Sequence, residues 1–130
     1  AALFRSDHPL ARKEPFSFSD VLDYDLIGLE GSANLMKLLT MEATNLEKTM
    51  KLRVEVRSFE AVLNMVQSGL GVGLLPKDFG ISKAMNGDVV CRPLPEFWAV
   101  RQMLICTRKG TSKSPVLNDF LNTLLRNKSA

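Results

Sequence analysis

From Val54 to Pro76 the hydrophobic period of the chain changes twice, and residue chemistry marks each change. Val54 and Val56 alternate with Glu55 and Arg57, as in a strand with one buried face. Ser58 ends the alternation. Its hydroxyl can accept a hydrogen bond from a backbone N–H of the following turn, and Phe59, Val62, Leu63 and Val66 lie behind it at helical spacing. Gly69 suits the left-handed position that commonly closes a helix, after which Leu70 to Leu75 is a short apolar run stopped by Pro76. The pattern predicts strand, helix, strand: a right-handed crossover unit with Ser58 at the helix N-terminus.

The rest of the chain divides by the same rules. Ala1 to Phe4 predicts a short strand and Arg5 to Pro15 a polar turn. Ser17 and Asp20 have the spacing of a capping box ahead of a brief helix over Phe18 to Leu22. Leu26 to Leu29 is a compact apolar run, the mark of a central strand covered on both faces. Leu35, Met36, Leu39 and Ala43, with Leu46 extending the stripe, predict a second crossover helix entered through Gly31 and Ser32 and returning into Leu52 to Val56. A short helix is expected over Asp78 to Met85, and strands at Val89 to Leu94, an edge because of Pro93, and at Met103 to Thr107. Ser114 caps and Pro115 opens a final helix whose stripe of Val116, Leu117, Phe120, Leu121, Leu124 and Leu125 needs a large packing surface. An apolar face of that size should dock on the chain itself, on another copy, or be swapped between copies.

Composition narrows the class. With 130 residues and 45% hydrophobic side chains the chain supports one ordinary core, a single α/β unit. The net charge of +3 comes from 17 basic and 14 acidic residues scattered along the sequence, without the clustering of a nucleic-acid footprint. Cys91 and Cys106 fall in separate apolar, strand-like runs, where cysteine behaves as a small buried hydrophobe. Nothing is apolar for long enough to span a membrane, and the opening residues lack the basic start and apolar core of a signal peptide.

Most catalytic chemistries lack their parts. His8 is the only histidine, which removes hydrolytic triads and His-rich metal sites; no metal or cofactor is implied. No GxSxG elbow occurs, and Glu30, Glu55 and Glu60 have no second carboxylate at a paired spacing. Gly69, Gly71 and Gly73 follow a helix and enter a strand, the reverse of a phosphate-cradling loop, so they read as packing and chain reversal. Two helices do begin with small polar residues directly after strands, at Gly31 with Ser32 and at Ser58 with Phe59. Parallel strands align their carboxyl ends, so both N-termini should open on one edge of the sheet, where orphan N–H groups, hydroxyls and helix dipoles can receive an anionic or polar small molecule. Two readings stand for Ser32 and Ser58: helix caps, or caps that also meet a ligand.

The run SFEAVLNMVQSGLGVGLLP at Ser58 to Pro76 resembles the most recognisable segment of the effector-binding domain of LysR-type transcriptional regulators. DHPLA at Asp7 to Ala11, the FSFSDVLDYDLIGL segment, the turn at Gly31 and Ser32, RPLP at Arg92 to Pro95, the strand at Met103 to Thr107 and the SPVLNDFLNTL helix follow in that family's order. The resemblance implies a lobe like that of a type 2 periplasmic binding protein, a mixed, mostly parallel sheet flanked by helices. Residues 1–107 would form the second lobe with its crossing strands, and 108–130 a turn and helix returning toward a first lobe outside this sequence. Gly31, Ser32, Ala33, Arg57, Ser58 and Phe59 match the positions where the family's small effectors bind. Phe59 has a second reading, an aromatic that packs down at the first helical turn. The resemblance further implies a cytoplasmic, non-enzymatic sensor that forms dimers or tetramers. It would meet DNA only through a helix-turn-helix upstream of this chain, and no membrane. A solute-binding protein of a transporter and an enzyme on the same scaffold are the alternative classes.

Overall fold

The computed structural model of the protein describes residues 1–30, 33–84, 87–102, 104–109 and 114–126. Five strands, β1 (Ala2–Arg5), β2 (Asp25–Leu29), β3 (Lys51–Val56), β4 (Val72–Leu74) and β5 (Val89–Arg92), form one sheet in the order β3-β2-β4-β1-β5. β2 pairs in parallel with β3 and β4, while β1 runs antiparallel to both β4 and β5. The sheet is therefore mixed, and its edges are β3 and β5. The second edge ends at Arg92, just before Pro93, whose missing N–H is harmless there.

Helices cover both faces. α1 (Phe18–Val21) and α2 (Ala33–Asn45) lie on one side, over a core of Ala2, Phe4, Phe18, Leu26, Leu39 and Val72. α3 (Phe59–Gln67) and α4 (Lys77–Lys83) lie on the other, over Leu3, Ile27, Leu29, Val62, Leu63 and Val66. Successive β2 side chains thus enter opposite cores, which is why that strand reads as a continuous apolar run. The capping box is present: the Asp20 carboxylate accepts from the Ser17 N–H at 2.8 Å.

The crossover unit that the hydrophobic pattern marks out is formed by β3, α3 and β4. Gly69, at φ +77°, closes α3: its N–H donates to the Val66 carbonyl at 2.9 Å and that of Leu70 to Met65 at 3.1 Å. These paired bonds satisfy the last carbonyls of the helix, and the left-handed residue that makes them possible is favoured as glycine. Gly73 has a different role. A Cβ there would lie 2.7 Å from Cγ1 of Val62, so the bare backbone lets α3 lie directly on β4.

Beyond β5 the chain is held by side chains rather than by a ladder. Arg92 Nη1 donates to the carbonyls of Leu10 and Lys13, both at 2.9 Å, Nη2 pairs with Glu14 at 2.6 Å, and the guanidinium lies 4.3 Å from the Phe16 ring centre. Glu96 accepts from the Phe18 N–H at 2.6 Å, and Trp98, in a short 3-10 turn over Phe97–Ala99, meets Phe18 edge-on at 5.0 Å. Past that turn the anchoring stops. The expected strand at Met103 to Thr107 is not formed over 104–107, and Met103 lies outside the described residues. The apolar run joins neither edge strand, β3 or β5, and Leu104 stays 74% exposed. Cys106 is accordingly exposed, contrary to its reading as a buried hydrophobe. α5 (Pro115–Arg126) forms as the cap predicts, with Ser114 Oγ accepting from the Leu117 N–H at 3.2 Å, but it does not dock on the lobe of its own chain.

Candidate functional site

β2 and β3 are adjacent and parallel, so α2 and α3 both start at the same edge of the sheet. The Glu30 N–H donates to the Val56 carbonyl at 2.7 Å, which carries the ladder one residue past β2. That extra rung sets Glu30 beside Arg57, whose Nε lies 3.2 Å from Glu30 Oε2. Arg57 is 84% exposed and Glu30 54%, so the pair sits at the rim and is worth little in stability. Its importance is positional: it holds a guanidinium at the start of α3.

Ser58 has the extended backbone of an N-cap, and its Oγ accepts from the Ala61 N–H at 3.1 Å. Accepting leaves the hydroxyl hydrogen available to donate outward. The N–H groups of Phe59 and Glu60 belong to the first turn, where a helix provides no acceptor of its own. The Phe59 ring is half-buried and packs 5.2 Å from the Phe79 ring of α4. It packs down onto α4 rather than standing free, the second of the two readings of Phe59. Gly31 and Ser32 lie outside the described residues, and Ala33 is the first residue of α2. The structure therefore brings Arg57, Ser58 and Phe59 together, with Glu30 added beside Arg57.

The same edge carries an apolar depression of about 460 Å³, on the α2 side of the sheet. Leu35, Leu39, Leu74, Pro76 and Trp98 line it, with Arg101 among its residues. Sequence reasoning did not single out Trp98 or Arg101; the one tryptophan following RPLP was the available signal. Nor did it pair Glu30 with Arg57. Each directly follows one of two consecutive strands of a predicted β-α-β unit, and parallel register alone would have set them side by side. Among the described residues no group of three or more His, Cys, Asp or Glu side chains could hold a metal, and no helix is long and apolar enough to cross a membrane.

A mixed α/β lobe whose helix starts and an apolar depression share one sheet edge has the form of a ligand-binding lobe. The family model of the LysR substrate binding domain matches residues 1–129, and the chain belongs to that family. It is 28% identical over 121 residues to the uncharacterized HTH-type transcriptional regulator YbhD of Escherichia coli, covering 93% of this chain and 38% of that protein. It is 26% identical over 121 residues to the Probable RuBisCO transcriptional regulator of Trichormus variabilis, covering 91% and 36%. The chain thus spans well under half of either regulator. Among solved structures, the Synechocystis CcmR regulatory domain in complex with 2-PG superposes with a TM-score of 0.82 at 21% identity, over 97% of this chain and 61% of that one. The effector binding domain of QuiR in complex with shikimate gives 0.72 at 20% identity, over 98% and 60%. These likenesses establish the fold of the lobe.

Proposed function

We propose that residues 1–107 are the second lobe of the effector-sensing domain of a LysR-type regulator, with 108–130 as a tail that returns toward a first lobe. The lobe receives a small anionic or polar metabolite at the carboxyl ends of β2 and β3. The observation that carries this reading is the helix start at Ser58, whose hydroxyl caps α3 and keeps its own hydrogen to donate, followed by the first-turn N–H groups of Phe59 and Glu60 and preceded by Arg57, which is paired to Glu30. The turn at Gly31, Ser32 and Ala33 is the second half of the proposed contact set, with Phe59 as a wall. CcmR and QuiR, two domains of like fold, hold 2-PG and shikimate, both small anionic ligands, and this supports the choice of an anion.

In the whole protein the role is sensing rather than catalysis. The effector prefers one lobe closure or one subunit packing over another, and that differential affinity shifts a dimer or tetramer whose separate helix-turn-helix reads DNA in the cytoplasm. The relatives are transcriptional regulators, which favours this over a transporter's solute-binding protein or an enzyme.

Two substitutions at Ser58 separate capping from binding. Aspartate is as good an N-cap as serine but repels an anion, whereas alanine loses the cap. Titrating shikimate and 2-phosphoglycolate against the intact regulator by calorimetry should show Ser58→Asp weakening binding by about tenfold or more with little loss of stability. Unchanged affinity in Ser58→Asp removes Ser58 from the site.

A further inference from the structure

The opposite edge of the sheet, where β2 and β4 begin and β1 ends, carries a second depression of about 410 Å³. That is within the size range of small-molecule sites. Its floor is mixed: the partly exposed Leu70 lies beside the bare backbone of Gly69 and Gly71, with Val66 fully buried beneath. One wall is aromatic, the His8 ring meeting Tyr24 edge-on at 4.6 Å. His8 Nδ1 accepts from the Leu10 N–H at 3.1 Å and burial lowers its proton affinity, so the wall carries no charge near neutral pH.

Four charged side chains surround this floor, and they are not equivalent. Arg5 is engaged on three sides: Nε and Nη2 each meet Asp7 at 3.0 Å, and Nη1 donates to the Gln67 carbonyl at 3.3 Å. Arg53 is positioned but not used up. Its Nη1 donates to the Leu70 carbonyl at 3.2 Å, while its distance to Asp25 Oδ2 is 3.8 Å, beyond a direct hydrogen bond. Among the described residues, Arg53 Nε and Nη2 donate to nothing, and the Asp25 carboxylate accepts from no side chain or turn N–H. Both side chains are about half exposed, at 52% and 54%.

A guanidinium and a carboxylate side by side, each with unused hydrogen-bonding capacity, next to Leu70 and the His8 and Tyr24 rings, complement a molecule that carries both charges next to an apolar group. Two arginines against two aspartates leave no net charge, which disfavours a phosphate or a dicarboxylate. We propose that this depression is a ligand site separate from the carboxyl-end edge, and that it takes a free α-amino acid with an apolar side chain. The ligand carboxylate meets Arg53 Nε and Nη2, its ammonium meets Asp25, and its side chain lies over Leu70 against the His8 and Tyr24 wall.

The experiment follows backbone amide NMR signals of the protein during titration with L-leucine, 2-hydroxy-4-methylpentanoate, which lacks the ammonium, and 3-methylbutylamine, which lacks the carboxylate. L-leucine should shift the Gly69, Leu70 and Gly71 amides, and each one-charge analogue should bind about tenfold more weakly or worse. Arg53→Gln and Asp25→Asn should each produce a similar loss. The analogue series needs no substitution, so it decides the matter even if Arg53→Gln unfolds the lobe. No shift at about 10 mM L-leucine, equal binding of the analogues, or shifts confined to Ser58 and Phe59 would each overturn the proposal.

Discussion

α3 and α5 both carry an apolar stripe at helical spacing, yet they end in opposite surroundings. Val62, Leu63 and Val66 of α3 are at most 6% exposed, whereas Val116, Leu117, Phe120, Leu124 and Leu125 of α5 range from 39% to 79%. Both helices are locally well specified, with Ser58 and Ser114 accepting from the N–H three residues on. The difference lies in what precedes and follows them. α3 is strung between β3 and β4, each paired to β2, and this crossover presses it onto the sheet where Gly73 clears its path. α5 follows a stretch whose described residues enter no ladder. Amphipathicity states that a face is to be covered; connectivity determines by what.

The contrast is measurable in unfolding experiments. Leu63→Ala removes a buried side chain between α3 and the sheet and should cost about 2–5 kcal/mol in denaturant unfolding. Leu125→Ala should change the same midpoint by less than about 0.5 kcal/mol. Equal costs at the two positions would show that α5 is covered in solution and would collapse the distinction.

Arg92 marks where anchoring by the lobe begins to fail. Its side chain is only 20% exposed and ties the β5 end to two carbonyls and the Phe16 ring. Arg92→Ala should cost about 2–3 kcal/mol and increase hydrogen exchange over residues 93–101. A neutral result would mean that Trp98 and Glu96 hold that segment unaided.

The caps give a finer comparison. Ser58→Ala should lower global stability by about 1 kcal/mol, because α3 unfolds with the core. Ser114→Ala should leave the global midpoint in place and reduce only the helicity of α5, read by circular dichroism. The smallest stability effect belongs to Phe120→Ser on the uncovered stripe: no change in midpoint, but weaker binding of a hydrophobic dye. Dye binding that persists at the original level would locate the exposed apolar surface elsewhere.

Legibility followed the range of the interactions. Caps, the Gly69 closure and the alternation of strand and helix act over a few residues, and they placed α1 to α5 and β1 to β5 close to their observed bounds, with Met85, the expected end of α4, outside the described residues. The Leu104 to Thr107 run misled because strand propensity there meets no partner strand. At the candidate site, Ser58 was legible as a cap and its neighbourhood as a shared sheet edge. Glu30 beside Arg57 was not recognised, since that pair depends on register between strands rather than on any local motif. The distal depression lay further out of reach: Arg5 with His8, Asp25, Arg53 and Gly69 come from four separate stretches and meet only through the sheet order.

The sequence by itself determined the α/β class, the helix starts and ends, and the family, because each is written in side chains that act on their own backbone or in their order along the chain. Only the tertiary structure decided which apolar stripe is buried, that Arg92 rather than a further strand secures the end of the sheet, and that charged residues gather at both ends of the sheet. Those outcomes depend on which strands pair and in what register, and that is a property of the assembled sheet rather than of any one segment.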